Sequence, residues 1–248
     1  MIVLFTDFGL EGPYVGQVKA VLWRQAPGVP VVDLFADAPA GKPRPAAYLL
    51  AAYAAWFAPG SVMLAVIDPG VGGERAALVV EADGRWYVGP DNGLFELVRR
   101  RAAHTRSWEI TWRPAKLSAS FHGRDLFAPV AARLARGEKP PGRPLPPAAG
   151  RYPDWPDDLS EIVYIDHFGN AMTGLRAAGL AEGTRLCAGG RRLSRAATFS
   201  DVAEGEAFWY ENANGLAEIA VNAGHAGAAL GLGVGSPVRI EAAAADSC

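Results

Sequence analysis

The chain has 248 residues, of which 50% are hydrophobic and 20% are charged, and its formal net charge is -2. This composition excludes an intrinsically disordered protein, because a disordered chain lacks the apolar surface that offsets the entropy cost of folding. The near-neutral charge attracts phosphate backbones weakly and no apolar run reaches the ~18 residues of a membrane span, so we expect neither a nucleic-acid nor a membrane partner.

Strand and helix patterns alternate through the first 138 residues. Short apolar or β-branched runs end at Gly, Pro or Asp, and segments with helical spacing of apolar residues separate them. This alternation predicts an N-terminal α/β domain, residues 1–138, around a largely parallel sheet. The predicted strands are Ile2–Phe5, Val29–Phe35, Ser61–Ile67, Ala76–Glu81 and Arg85–Val88, and the predicted helices are Tyr14–Gln25, Pro45–Trp56, Gly93–Arg101 and Leu126–Arg136.

A proline-rich segment follows. Residues 137–156 hold seven of the 19 prolines, and proline fixes φ and removes a backbone donor, so neither a helix nor a central strand can run through it. Length alone, at about 150 residues per domain, does not decide between one domain and two. We therefore predict a stiff linker at residues 139–158 that separates two domains.

The remaining residues, 159–248, have a different pattern. Short strand-like runs are separated by glycine-rich turns, and no long helical period occurs. This pattern predicts a smaller C-terminal domain, an antiparallel β-barrel or sandwich. The predicted strands are Ser160–Asp166, Leu186–Ala188, Ala207–Tyr210, Ala217–Val221 and Pro237–Glu241.

Cysteine usage bears on the compartment. The chain has two cysteines, Cys187 and Cys248, and no CxxC pair, which excludes a Cys-based zinc site and disfavours a disulfide framework. The N-terminal run Met1–Phe5 lacks a basic region and a cleavage site, so we do not expect a signal peptide. The simplest compartment is the cytoplasm.

Polar residues collect where the predicted strands end, which is where open α/β sheets bind ligands. Asp7 follows the first strand, and Asp68 opens a glycine-rich turn after another. His122 lies between Phe121 and Gly123, beside Arg124 and Asp125. Each cluster alone fits a turn or a cap, and we interpret the set together as a site.

The motif spacings give little support to a phosphate-binding site or to a metal site. The glycines at Gly70–Gly73 match neither phosphate-binding motif and precede a predicted strand, which disfavours a phosphate cradle. A metal hydrolase that uses Asp68, Asp91, His122 and Asp125 is conceivable, although no HxH, HExxH or DxD spacing occurs. We expect no metal.

Taken together, the motifs resemble those of the S-adenosylmethionine (SAM) hydroxide adenosyltransferases, which form adenosine from SAM and are related to SAM-dependent fluorinating and chlorinating enzymes. They run in order along almost the whole chain, on both sides of the proline-rich segment. The matching stretches are TDFG from Thr6, DPGVG from Asp68 with Arg75, PDNG from Pro90, FHGRDLFAPVAA from Phe121, IDHFGNAMT from Ile165 and NANGLAEIAVNAG from Asn212.

The resemblance implies a fold, an assembly and a reaction. The fold is an N-terminal α/β domain with a C-terminal β-barrel, in a homotrimer whose substrate lies between domains of neighbouring subunits. The reaction is hydrolysis of SAM to adenosine and methionine by in-line attack of water or hydroxide at the ribose 5′ carbon. SAM is then the substrate, and no cofactor is expected.

The resemblance also implies residue roles. Asp68, Arg75 and His122 match a water-activating group, in which either Asp68 or His122 takes the proton. This trio is absent from the halogenases, so its presence favours water as the nucleophile. The expected substrate contacts are Asp7 with the neighbouring Phe8 for the ribose, Asp166 for the methionine ammonium, Phe168 and Asn170 for the adenine and its edge, and Asn212 and Ala213 for the adenine pocket.

One departure from the halogenase pattern leaves a residue role open, and two alternative functions remain. Halogenases have Arg-Asn-Ala where this chain has Glu211-Asn212-Ala213, so the group that holds the methionine carboxylate is not assigned. A SAM-dependent halogenase remains the first alternative, and a protein that only binds SAM or adenosine is the second. Multiple turnover distinguishes an enzyme from a binding protein.

Overall fold

The computed structural model describes residues 1–241, and the chain divides into two units, of which the first is residues 1–155. One seven-stranded sheet forms the centre of this unit. Its strands are β1 (Ile2–Thr6), β2 (Val31–Phe35), β3 (Val62–Val66), β4 (Ala77–Ala82), β5 (Arg85–Pro90), β6 (Thr105–Ile110) and β7 (Gly142–Leu145).

The strand order across this sheet is β2-β1-β3-β5-β4-β6-β7. The first four strands in this order are mutually parallel. Strand β4 is antiparallel to both β5 and β6, and β7 is antiparallel to β6, so five of the seven strands point in one direction. The predicted α/β class with a largely parallel sheet is confirmed.

Helices cover both faces of this sheet, which explains why β1 and β3 are buried along their whole length. On one face, Ile2 and Leu4 pack against Val18 and Leu22 of the first helix and Val130 of the fourth. The helices of the unit are α1 (Tyr14–Gln25), α2 (Pro43–Tyr53), α3 (Glu96–Arg101) and α4 (Ala128–Ala135), and a π-helical turn at Gly123–Phe127 leads into α4.

A two-residue turn joins β4 to β5, as the sequence predicts. Ala82 pairs with Arg85 across the turn, and both central residues have positive φ, 47° at Asp83 and 77° at Gly84. Asp-Gly is the pair that tolerates these angles, and turns of this kind match the natural twist of the strands. The hairpin therefore sets the register of the antiparallel half of the sheet.

The proline-rich segment is attached to the first unit. Its residues Gly142–Leu145 form β7, which pairs only with β6 and places Pro144 opposite Trp108. An edge strand bonds on one side only, so proline's missing donor is tolerated there. Beyond β7, the buried Arg99 donates hydrogen bonds to the carbonyls of Pro147, Ala149 and Gly150. This part of the predicted linker is thus held against α3.

The second unit begins at Pro156 and contains two antiparallel sheets among its described residues, in the orders β12-β13-β9-β8 and β11-β10-β14. The buried Trp209 lies in its apolar core. The strands are β8 (Leu159–Ile165), β9 (Ala171–Arg176), β10 (Arg185–Ala188), β11 (Arg191–Leu193), β12 (Ala207–Glu211), β13 (Leu216–Val221) and β14 (Arg239–Glu241), and the short helix α5 is Ala226–Ala229.

The antiparallel character predicted for this unit is confirmed, but the strands up to residue 241 do not form a closed barrel. Side chains of both sheets share one apolar core, but strand pairing between the sheets is reduced to isolated bridges, Glu161 with Pro237 and Arg195 with Trp209. At both places the continuous ladder is interrupted, because a single bridge replaces the run of paired residues that a barrel requires.

Two remaining expectations concern the cysteines and the membrane. Cys187 is a free thiol, and Cys248 lies outside the described residues. None of the helices within residues 1–241 combines the length and the apolar composition needed to cross a membrane.

We predict that Arg99→Met lowers the free energy of unfolding by about 2–3 kcal/mol, because three carbonyls of the proline-rich segment lose their donor. The control is Arg106→Met, since Arg106 is exposed and pairs with Glu81; its effect is expected within about 0.5 kcal/mol. Urea unfolding measures both. Equal effects would mean that the Arg99 contacts do not stabilise the fold.

Candidate active site

The first two acids of the candidate site lie at one edge of the seven-stranded sheet. β1 and β3 are adjacent and parallel, with Thr6 paired to Val66. Asp7 follows Thr6 directly, and Asp68 follows Val66 by two residues. Their proximity is therefore a consequence of strand pairing, since the carboxyl ends of parallel strands meet at the same edge.

Arg75 joins Asp68 to His122. Its Nε donates a hydrogen bond to Asp68 Oδ1 at 2.9 Å, and its Nη2 contacts Asp68 Oδ2. The same Nη2 lies 2.9 Å from His122 Nδ1. The guanidinium also lies over the ring of Phe127, 5.2 Å from its centroid. The three residues predicted to activate water thus form one connected group.

The contact with Arg75 determines the state of His122. A guanidinium is always a donor, so His122 Nδ1 accepts and the neutral ring carries its proton on Nε2. Burial lowers the pKa of His122, and the positive charge of Arg75 lowers it further. At neutral pH the group therefore consists of a carboxylate, a guanidinium and an uncharged imidazole whose Nε2–H is a donor.

Asp7 is the second carboxylate of the cavity. Its Oδ2 accepts a hydrogen bond from the backbone N–H of Gly41 at 2.8 Å. Burial raises the pKa of Asp7, the Gly41 bond opposes this shift, and the nearby charge of Asp68 adds to it. Two carboxylates against one guanidinium give this part of the cavity a negative balance, which suits a cationic ligand.

The loop that carries Asp68 is held from two sides. Gly72 has a φ of 79°, and a Cβ at this position would lie 2.4 Å from the carbonyl oxygen of Ala119. Only glycine permits this close approach to the segment that leads to His122. On the other side, Asn92 Nδ2 donates to the carbonyl of Ile67 at 2.8 Å, which supports the residue just before Asp68.

The cavity at this sheet edge has a volume of about 310 Å³ and is lined by Asp7, Phe8, Asp68 and His122. Two further aromatic residues line it: Phe121, which opens the motif around His122, and Tyr14, which lies in none of the motifs. Tyr14 and Phe121 contact each other edge-on, with centroids 5.4 Å apart, and both approach Phe8. Tyr14 opens α1 and is half exposed. An exposed aromatic residue at the start of a helix carries no sequence signal that marks it as part of a site.

Two acids of the conceivable metal site lie elsewhere. Asp91 borders Gly150 in the proline-rich segment, and Asp125 is paired with Arg124 and accepts from the Ser118 N–H. Neither lines the cavity that contains Asp68 and His122. Within residues 1–241, no group of three or more His, Cys, Asp or Glu side chains is arranged to hold a metal ion.

The second unit brings its predicted residues together around a cavity of about 540 Å³, lined among others by Asp166, Phe168, Asn170 and Tyr210. Asp166 Oδ1 accepts from the Asn170 N–H at 2.8 Å, and Asp166 Oδ2 accepts from Asn170 Nδ2 at 3.2 Å. The Phe168 ring is 74% exposed. An apolar face and a pair of polar groups thus border one space.

Asn212 and Ala213 do not line this cavity. Asn212 Oδ1 accepts from the backbone N–H groups of Asn214 and Leu216, and its Nδ2 donates to the buried Glu218. The Asn212 amide is therefore used within the protein, where it shapes the turn that carries Ala213. The motifs did not single out Glu218.

Comparison with known proteins defines the family. Residues 2–142 match the model of the SAM hydroxide adenosyltransferase N-terminal domain, and residues 160–239 match that of the C-terminal domain. The chain belongs to the SAM hydroxide adenosyltransferase family.

Relatives and solved structures agree with this assignment. An (R)-S-adenosyl-L-methionine hydrolase of Thermus thermophilus is 43% identical, over 96% of this chain and 98% of its own. One from Salinispora tropica is 37% identical, over 96% of each chain. The crystal structure of a conserved protein from Thermotoga maritima matches with a TM-score of 0.85 at 30% identity, and covers 97% of this chain and 100% of its own.

Proposed function

We propose that this chain hydrolyses SAM to adenosine and L-methionine, with the preference for the (R) epimer at sulfur that its relatives' names state. The observation that carries the proposal is the connected group of Asp68, Arg75 and His122, of which Asp68 and His122 line the cavity at the sheet edge. Family membership supports the same reaction.

The reaction is an in-line displacement at the ribose 5′ carbon. The oxygen of water forms the new bond to carbon, and the carbon–sulfur bond breaks with its electron pair going to sulfur. Methionine leaves as a neutral thioether, so the leaving group needs no proton. One proton of the attacking water stays on the new 5′-hydroxyl, and the other passes to a base of the protein. The step needs no cofactor, and its main difficulty is the weakness of water as a nucleophile.

Asp68 is the proton acceptor in our proposal. His122 Nδ1 already accepts from Arg75, so its Nε2–H donates to the water oxygen and orients it. Asp68 is acceptor-only when ionised and has lone pairs beyond the two used by Arg75. Arg75 holds both groups and stabilises the hydroxide-like charge that develops on the water.

We predict that Asp68→Asn lowers kcat more than His122→Asn does. A well-placed base contributes about 10²–10⁴-fold, and the asparagine at position 68 cannot take a proton, whereas asparagine at position 122 still offers an N–H donor. Initial rates of adenosine formation measure kcat, and Kd for SAM is the control, expected to change little. A larger loss for His122→Asn would assign the proton to His122 instead.

The overall reaction is tested with each sulfur epimer of SAM in ¹⁸O-labelled water containing chloride. We expect the (R) epimer to react faster, with multiple turnovers, and the label to appear in the adenosine 5′-hydroxyl. Chromatography with mass spectrometry measures the products. Chlorinated adenosine would instead identify a halogenase, and one bound equivalent without product would identify a binding protein.

We further propose a homotrimer in which the sheet-edge cavity of one subunit faces the Asp166 cavity of its neighbour. Each unit supplies only part of the expected contacts: the water-activating group and Asp7 in the first, and Asp166, Phe168 and Asn170 in the second. A shared site excludes bulk water, which strengthens the electrostatic interactions inside it. We place the enzyme in the cytoplasm, in line with its cysteine usage.

This arrangement predicts complementation between inactive variants. Asp68→Asn and Asp166→Asn, unfolded together and refolded as a mixture, should recover about one quarter of the wild-type activity, because a closed ring combines domains from different subunits. The two variants refolded separately and then mixed are the control. No recovery from a mixture that reassembles as a trimer by light scattering would place each complete site within one subunit.

A further inference from the structure

A buried carboxylate lies in the four-stranded sheet of the second unit without a role in the mechanism above. Glu218 on β13 is 2% exposed, and its cross-strand partner on β12 is Tyr210. Burial raises the pKa of Glu218, and the hydrogen bonds that it accepts from Tyr210 and Asn212 oppose this shift. A buried carboxylate destabilises the folded state unless hydrogen-bond donors surround it. The donors around Glu218 are therefore part of its structural role.

The donors to Glu218 connect it to the expected adenine contacts. Tyr210 Oη donates to Oε1 at 2.5 Å, and Asn212 Nδ2 donates to Oε2 at 2.7 Å. The side chain of Asn170 also faces Glu218 and helps to lower its pKa. Of these three donors, two belong to residues that the proposed function assigns to the adenine or its pocket.

The carboxylates fix the orientation of the Asn170 amide. Ionised carboxylates only accept hydrogen bonds, so the Nδ2 of Asn170 faces Asp166 and Glu218, and its Oδ1 points away from both. Within residues 1–241, Asn170 Oδ1 receives no hydrogen bond, and Asn170 borders the cavity of the second unit. The amide therefore presents one acceptor of defined identity.

Glu218 also anchors the turn that follows β12. The Asn212 amide is fixed at both ends, by the N–H groups of Asn214 and Leu216 at Oδ1 and by Glu218 at Nδ2. The turn carries Ala213, which the family resemblance assigns to the adenine pocket. One carboxylate thus holds two separate segments, the end of the Asp166 turn and the turn at Asn212.

We propose that Glu218 is a positioning residue that makes the site select a 6-amino purine over a 6-oxo purine. The 6-amino group of adenine donates hydrogen bonds and matches the Asn170 Oδ1 acceptor, whereas the 6-oxo group of hypoxanthine is itself an acceptor and is repelled. A site built around one hydrogen-bonding group rejects the analogue that lacks it. The inference rests on the proposed function, because that function assigns Asn170 to the adenine edge.

Calorimetry with adenosine and inosine tests the proposal. The wild-type protein should bind adenosine at least about fivefold more tightly than inosine, since one well-placed hydrogen bond contributes about 1 kcal/mol or more. Glu218→Gln should reduce this ratio to about threefold or less, because the new amide places a donor against the donors of Asn170 and Asn212 and frees the Asn170 amide to rotate. A wild-type ratio near one would overturn the proposal without any variant.

Thr173→Val is the matched control. Thr173 is fully buried in the same sheet, and its Oγ1 donates to the Ala217 carbonyl at 2.7 Å, so the variant weakens the sheet without touching the Glu218 contacts. We expect its adenosine-to-inosine ratio to stay at the wild-type value although its Tm falls. Equal losses of the ratio in Thr173→Val and Glu218→Gln would reduce Glu218 to a structural role, and an unchanged ratio in a folded Glu218→Gln would overturn the proposal.

Two further readouts complete the test. In Glu218→Gln, KM for SAM should rise while kcat stays within about threefold, because the water-activating group is unchanged. If Glu218→Gln does not fold, Tyr210→Phe replaces it: loss of its hydrogen bond to Oε1 should lower the purine ratio, and an unchanged ratio overturns the proposal. Calorimetry requires no hydrolysis, so a chain that discriminates purines but does not cleave SAM would contradict the proposed function and leave this inference standing.

Discussion

The candidate active site depends on one guanidinium. Arg75 bonds to both oxygens of Asp68 and to Nδ1 of His122, and so it determines at once the geometry of the carboxylate and the protonation state of the imidazole. Arginine stays protonated at ordinary pH, so His122 Nδ1 always faces a donor. The imidazole therefore keeps its proton on Nε2. The sheet edge therefore carries an oriented acceptor, Asp68, beside an oriented donor, His122, which is the pair that the proposed activation of water needs.

The fold makes that contact possible by bringing distant segments to one edge. β1 and β3 are parallel neighbours, so Asp7 and Asp68 lie at the same end of the sheet. Gly72 then permits the loop after Asp68 to touch the backbone at Ala119, close to His122. In the second unit the buried carboxylate of Glu218 accepts hydrogen bonds from Tyr210 and Asn212. In both units a charged side chain thus fixes the orientation of the polar groups around it.

Several parts of this arrangement follow from the sequence without a structure. Asp83-Gly84 predicts its hairpin because few residue pairs tolerate positive φ at both turn positions. The strand-end clusters indicate a site only as a set, and the family resemblance then singles out Asp68, Arg75 and His122 within it. The strand β9 has no comparable signal, since Ala171–Arg176 mixes small and polar residues and is buried almost throughout. Strand β7 is likewise not recognisable from the sequence, because its proline argues against a strand. An edge position tolerates that proline.

The sequence by itself therefore determined the α/β class and the family, because these rest on local patterns and on motifs that are contiguous in the chain. The role of Asp68, Arg75 and His122 in activating water stays a prediction from the family resemblance. Only the tertiary structure decided which nitrogen of His122 is protonated and that the Asn212 amide is used within the protein. It also decided that Tyr14 lines the cavity of the first unit and that Glu218 bonds to Tyr210, which lines the cavity of the second. The state of His122 depends on a contact across the 47 positions that separate it from Arg75, and no local pattern encodes such a contact. The Asn212 and Glu218 contacts join residues within eight positions, but they depend on the pairing of β12 with β13 and on side-chain orientation.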